Sequence, residues 1–433
     1  MTEKWKEAPL DEVADILSTR MSYSSLLALP ERHLENGYVN VLGIKVADMN
    51  RSGSETFISN TALERLMKLD DAHYYCAPPE VIVFPKNGAA VATNKKRRVK
   101  HWSVFDPNIM GLHAKNSLSQ NYLFYWMQNF DLASIISPGP VPHFNKSDLA
   151  RVIIRHPISI VEQDEIAQAL DYLTLAIKIN TDAINKSQEL KRSAMHELFT
   201  LGLHGEEQKE TEIGVMPESW VPERLDQKAE IISTRMAYTE LEKELDSKEP
   251  DAFTVLGIKV SDMNSLGNEV SISHAALTKK LPKALVEYRC APPGTIIFPK
   301  RGAAIATNKK RITTTWTVFD PNIIGVIAQD KVDQRFLFQW FQNFDLKTIT
   351  EPGPTPQLNK KNLEPLIIPV PPTLDEQCEI VKILNAIDRK IDLHKRKKAV
   401  LEELFKSLLH KLMTGEIRVS DLDLSAVKQT EAA

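Results

Sequence analysis

Two short stretches of this 433-residue chain gather groups suited to phosphates and base edges. They are Thr93-Asn-Lys-Lys-Arg97, continued by Arg98 and Lys100, and Thr307-Asn-Lys-Lys-Arg311. Lysine and arginine neutralise phosphate, an arginine fork matches two acceptors of guanine, and an asparagine amide matches adenine. Thr93, Asn94, Lys95, Lys96, Arg97, Arg98 and Lys100, with Thr307, Asn308, Lys309, Lys310 and Arg311, are therefore candidate DNA-binding residues. A solvated basic turn would have the same composition. The DNA reading is preferred because the cluster occurs twice in a chain of formal net charge −3. The same net charge argues against a free-standing protein that grips nucleic acid by bulk electrostatics.

Catalytic constellations are missing from the sequence. It has no Gly-rich phosphate loop, no Asp- or Asn-Pro-Pro-Tyr of an amino-methyltransferase and no metal-binding histidine cluster. Asp106-Pro-Asn108 and Asp320-Pro-Asn322 lack the second proline and the aromatic ring that would stack on a flipped base, so each reads as a turn. Three separated cysteines, Cys76, Cys290 and Cys378, exclude a disulfide framework and argue against zinc. The opening MTEKWKEAPL has no apolar core and no later stretch is long enough to cross a bilayer. The expectation is a non-catalytic cytoplasmic chain with no cofactor of its own, no metal and no membrane partner.

Two long amphipathic helices must position the basic clusters. Ser159-Ile-Val-Glu162 and Thr373-Leu-Asp-Glu376 read as capping boxes that open them. Apolar residues then recur in steps of three and four, at Ile166, Leu170, Leu173 and Ile177 in one helix and at Ile380, Leu384, Ile387 and Ile391 in the other. Such a seam buries itself against another helix, and the expected partner of each is the other, packed antiparallel. Each run reaches about 40 residues, on the order of 60 Å. Ahead of them, β-branched runs such as Val81-Ile-Val-Phe84 and Thr295-Ile-Ile-Phe298 predict strands. Residues 120–130 and 334–344 predict aromatic-rich helices, each followed by a turn at Pro138-Gly-Pro140 or Pro352-Gly-Pro354. Trp102, Trp316, Phe124 and Phe338 are read as core rather than as wedges between bases.

The chain is an internal duplication. Ile16-Leu-Ser-Thr-Arg-Met21 returns as Ile231-Ile-Ser-Thr-Arg-Met236, and from Leu42, which aligns with Leu256, the match runs without a gap to the end of both helices. Roughly half the aligned positions between Leu42 and Leu132 are identical. The expected fold class is α+β: two duplicated mixed domains separated by long helices that pair as an antiparallel coiled coil with pseudo-twofold symmetry. The boundaries read as 1–158 and 220–372 for the globular domains, 159–201 and 373–414 for the helices, 202–219 for a linker and 415–433 for a tail. The copies differ at Arg98-Val-Lys-His101 against Ile312-Thr-Thr-Thr315, and at 115–122 against 329–336. These differences suit either base reading or unconstrained surface loops.

This order of parts resembles the specificity subunit of type I restriction-modification systems. Also similar are the approach Ile213-Gly-Val-Met-Pro-Glu-Ser-Trp220, the helix starts Glu162-Gln-Asp-Glu-Ile166 and Glu376-Gln-Cys-Glu-Ile380, and the close Leu412-Met-Thr-Gly-Glu-Ile417. The resemblance covers almost the whole chain. It implies a DNA-recognition subunit whose globular domains are target-recognition domains, each reading half of a split site in double-stranded DNA. The helices would set the separation and dock two adenine-specific methyltransferase subunits, with restriction and translocase subunits joining them. S-adenosylmethionine, ATP and Mg would then belong to the partners. Many members have two dissimilar recognition domains; the likeness here implies similar half-sites. Rival readings are a free-standing transcriptional regulator, the specificity subunit of a methyltransferase-only or type IIB-like complex, and a fused methyltransferase or nuclease.

Overall fold

The computed structural model describes residues 5–31, 36–51, 53–54, 56–137, 142–265, 267–329, 331–350 and 356–422. The turns at Pro138-Gly-Pro140 and Pro352-Gly-Pro354 lie outside them. The chain divides into two units, one of residues 1–181 with 396 onward and one of residues 182–395.

In the first unit the run Ile82–Pro85 is wholly buried and forms the middle of a five-stranded sheet. The strand order is Ala14–Leu17, Ile109–Ala114, Ile82–Pro85, Arg97–Val99, Phe57–Ile58. The register is close-packed at Gly111, where an added Cβ would lie 2.7 Å from the Phe105 ring. A three-stranded sheet has the order Leu63–Lys68, Tyr38–Ile44, Trp102–Phe105. Trp5–Pro9 pairs antiparallel with Ile153–Pro157, so the two ends of the globular domain meet where the first long helix begins. The second unit repeats every one of these pairings, with Ile296–Pro299 central, Ala229–Ile232 at one edge and Ser271–Ile272 at the other. Val221–Arg224 and Ile367–Val370 close its base.

The long helices run over Ile160–Leu201 and Leu374–Thr414. Each unit holds the start of one helix against the end of the other, which makes the pairing antiparallel. In the first unit Ile166, Leu170 and Leu173 share a core with Leu408, Leu409, Leu412 and Met413. In the second, Ile380 and Leu384 pack with Met195, Leu198 and Phe199. Ile391 is buried, whereas Ile177 and Ile387 are only half-buried. Burying a large apolar side chain is worth roughly 1.5–3 kcal/mol, so this seam outweighs intrinsic propensity in holding the helices.

One local expectation changes. The hydroxyls of Ser159 and Thr373 accept the amides of Glu162 and Glu376 at 3.4 and 3.2 Å, but the Glu376 carboxylate turns away from its own helix start. It accepts from Trp220 Nε1 at 3.0 Å and from the Leu203 amide at 3.4 Å, because the buried indole needs an acceptor. The expected linker 202–219 contains a hairpin, Gln208–Thr211 with Gly214–Pro217. Part of the expected tail is packed: Ile417, Val419 and Leu422 lie against the first core. No helix among the described residues is long and apolar enough to cross a membrane.

Candidate nucleic-acid interface

The duplicated basic cluster begins at a tight turn. Asn94 and Asn308 adopt φ of 52° and 51°, a left-handed conformation that asparagine tolerates better than most residues. Their side chains are committed to the fold: Asn94 Oδ1 accepts the Leu132 amide and Asn308 Oδ1 the Leu346 amide, both at 3.0 Å. Lys96 and Lys310 are buried, and each Nζ donates at 2.5 Å to a backbone carbonyl, that of Phe130 or Phe344. Burial pushes each ammonium down to about 8, against a smaller opposing pull from Asp131 or Asp345. The Thr-Asn-Lys-Lys-Arg turns are thus bound to the Gln-Asn-Phe-Asp-Leu segments at 128–132 and 342–346. Hydrogen bonds within the fold engage these asparagines and second lysines in both copies.

Arg98 is also buried. Its guanidinium lies between the rings of Phe57 and Phe124, 4.2 and 4.6 Å from their centroids, and donates to Asn121 Oδ1 at 2.6 Å. Arg97 and Arg311 are half-buried, each donating to the preceding lysine's carbonyl at 2.8 Å. Burial lowers the Arg311 pKa, with Glu269 opposing. Thr93 and Thr307 are exposed but turn their hydroxyls onto Ala90 and Ala304. Lys95 and Lys309 reach the surface, bonded to Asn50 and Asn264. Lys100 is exposed, 5.4 Å from the Phe57 ring. Phe124 and Phe338 are core, and Trp102 and Trp316 are half-buried against His73 and Phe253.

Strand register gathers other cations at the same end of the sheet as Lys95. Leu17 lies opposite Gly111, Pro85 opposite Ile109 and Arg97 opposite Val83, so the segments 18–20, 86–88, 94–96 and 106–108 leave together. Thr19 Oγ1 accepts the Phe105 amide at 3.2 Å, the Asp106 amide donates to Ile44 at 2.9 Å, and the Lys86 amide donates to Asn108 at 2.9 Å. Arg20, Lys45, Lys86 and Lys95 therefore rim one end of the domain. Arg235, Lys259, Lys300 and Lys309 do so in the second unit. Two of the four are propped on tyrosines: Arg20 lies 4.4 Å from the centroid of Tyr74, itself 59% exposed, and Arg235 lies 4.7 Å from Tyr288, 67% exposed. Lys45 and Lys259 sit 4.2 and 4.4 Å from Tyr23 and Tyr238. Beside Lys95 is a pocket of about 230 Å³ lined by Met49, Asn50, Pro85, Ala89 and Thr93. Asp106 and Asp320 cap their own loops by accepting from Asn108 and Asn322, which is the turn expected of them.

The rim residues other than Lys95 and Lys309 form no local sequence motif because they are scattered along the chain. The signal available was their survival as cations in both copies. A second omission lies at the helix starts. Gln163 and Gln377 are fully buried; they accept the amides of Ser119 and Asp333 at 2.7 Å and donate to Pro157 and Lys331 at 2.8 and 2.9 Å. They lock each globular domain to its helix. No group of His, Cys, Asp or Glu side chains among the described residues is arranged to hold a metal.

Two copies of one mixed domain, each locked to paired long helices, define a duplicated scaffold. A family model described as the type I restriction modification DNA specificity domain matches residues 2–191 and 294–403, and the chain belongs to that family. It is a non-catalytic specificity subunit, for DNA target recognition within a type I restriction-modification complex. It is similar to the type I restriction enzyme MjaVIII specificity subunit of Methanocaldococcus jannaschii, 25% identical over 345 residues covering 74% of this chain and 76% of that one. It is also similar to the putative MjaX specificity subunit of the same organism, 26% identical over 315 residues and 70% of each chain. The fold matches that of the S subunit from M. genitalium with a TM-score of 0.58, 14% identity and coverage of 95% and 99%. A structure from work on complex assembly and conformational transition of the type I R-M system matches with a TM-score of 0.50, 15% identity and coverage of 95% and 98%.

Proposed function

We propose that each unit turns its cationic rim to one half of a bipartite site in double-stranded DNA, and that the two half-sites are similar and inverted. One observation carries this reading: all four rim cations of the first unit have a cation at the equivalent place in the second. Phosphate contacts from these groups fix register, and the adjoining loops and pocket read base edges. Recognition belongs to residues 1–158 and 220–372, and spacing and docking to 159–201 and 373–414. Exposed apolar side chains at Leu175, Ile179 and Leu190 of the first long helix, and at Leu393, Val400 and Leu404 of the second, support docking of two adenine-specific methyltransferase subunits. Restriction and translocase subunits join that assembly, and S-adenosylmethionine, ATP and Mg are carried by the partners.

The test is DNA binding by the assembled methyltransferase complex over a range of salt. Replacing Arg20, Lys45 and Lys95 with Ala should lower the slope of log affinity against log salt by roughly 2–3, since each phosphate contact contributes about 0.9. An unchanged slope would overturn the placement of the rim on DNA.

A further inference from the structure

The two units share one backbone design but seat their globular domains on the long helices with different chemistry. In the first, the acid of the seat is Asp171 on the first long helix. Tyr125 Oη donates to it at 2.5 Å, and the Arg98 guanidinium, which comes from the sheet, lies 3.4 Å away. Tyr125 also meets Thr174 at 3.3 Å and the Phe405 ring of the second long helix, with centroids 6.2 Å apart.

In the second unit the positions equivalent to Arg98, Tyr125, Asp171, Thr174 and Phe405 are Ile312, Gln339, Asn385, Asp388 and Lys191. All five differ, and the changes compensate. Asp171 is replaced by Asn385, and its cation Arg98 by Ile312. The acid returns almost one helical turn further on as Asp388, where the first copy has Thr174. Its cation is Lys191, on the other long helix, where the first copy has Phe405. Lys191 Nζ donates to both Asp388 oxygens, at 2.7 and 2.8 Å. Buried Gln339 bridges Asn385 and Asp388 at 3.0 and 3.1 Å. The side chains of Lys191 and Asp388 are each 16% exposed, so loss of either partner strands a largely desolvated charge.

We propose that the seats are matched sets, and that Lys191 and Asp388 on the long helices, with Gln339 as their counterpart in the second globular domain, form the positioning set that accepts this domain and rejects the first. The first domain on the second seat would bring Arg98 beside Asn385 and Lys191, two cations for one acid. The second domain on the first seat would leave Asp171 with Ile312 in place of its cation. The divergence of 98/312 is therefore assigned to seating rather than to base reading, independently of how the rim meets DNA.

The test is thermal unfolding of full-length variants, with hydrogen exchange followed in segments 185–195 and 380–392. Lys191→Phe and Asp388→Thr should each lower the second unit's transition by roughly 5–10 °C and speed exchange in both segments. The double variant should lose much less than the sum of the two. Adding Gln339→Tyr, which completes the Tyr–Thr–Phe arrangement of the first seat, should bring the transition back to within roughly 3 °C of the parent. Additive losses, or a triple variant no better than the worse single one, would overturn the proposal. If the single variants fail to fold, soluble folded double and triple variants uphold it and their failure overturns it.

Discussion

Neighbouring lysines in one short sequence do opposite work. Lys95 and Lys309 lie at the surface beside an asparagine, whereas Lys96 and Lys310 are buried under the carbonyls of Phe130 and Phe344. Lys95→Ala with Lys309→Ala should lower the salt slope of DNA binding by the complex by nearly 2 and leave the unfolding transition unchanged. Lys96→Met should leave the slope alone and destabilise the chain by roughly 1–3 kcal/mol, because the Phe130 carbonyl loses its donor. Titration separates them further. The folded-state pKa of Lys96 is lowered to about 8 from 10.5, so between these values the unfolded chain holds the proton that the folded chain has released. Stability from this group therefore rises with pH across that window and is flat below it. The stability difference between the parent and Lys96→Met should widen from pH 8 to 10.5; a constant difference would contradict the burial of the ammonium. Sequence showed that the cluster was repeated but could not show which copies of a cation are buried. That depends on the carbonyl at the end of the aromatic helix 34 residues further on, a contact that no local pattern encodes.

At the scale of elements, the seams and the strands were legible because periodicity reports directly on burial, as at Ile166, Leu170, Leu173, Ile380 and Leu384. The Thr-x-x-Glu spacing assigns Glu376 to its own helix start, and it serves Trp220 instead; sequence proximity does not outweigh the need of a buried indole for an acceptor. Gln163 and Gln377 were visible only as letters of a repeated motif. Their function depends on the loops before the aromatic helices, which fold back to meet them. Gln377→Leu should cost roughly 2–4 kcal/mol, since the Asp333 amide and the Lys331 carbonyl both lose their partner. Chemical unfolding checks this: a loss below about 0.5 kcal/mol, the range of ordinary surface substitutions, would show that the glutamine is not the lock.

For the whole molecule, duplication was the most readable property of the sequence, and it led directly to two domains and two helices. What it concealed is that the copies diverge most informatively where the domains meet the helices, at Arg98 and Ile312, rather than on the rim. If the helices control spacing, inserting seven residues after Thr181 and seven after Lys395 keeps the phase of the seam and adds about 10 Å. The non-specific spacer should lengthen by roughly three base pairs, and both half-sites should remain. Altered half-sites would reverse the roles assigned to helix and domain.

The claim that two copies of one reader share this chain is tested most directly by mapping methylated adenines across DNA from cells that express it with its methyltransferase partner. The expected result is a split motif whose halves are similar and inverted, abolished when Arg20, Lys45 and Lys95 are replaced together with Arg235, Lys259 and Lys309. An uninterrupted motif, or two halves with no inverted similarity, would contradict it.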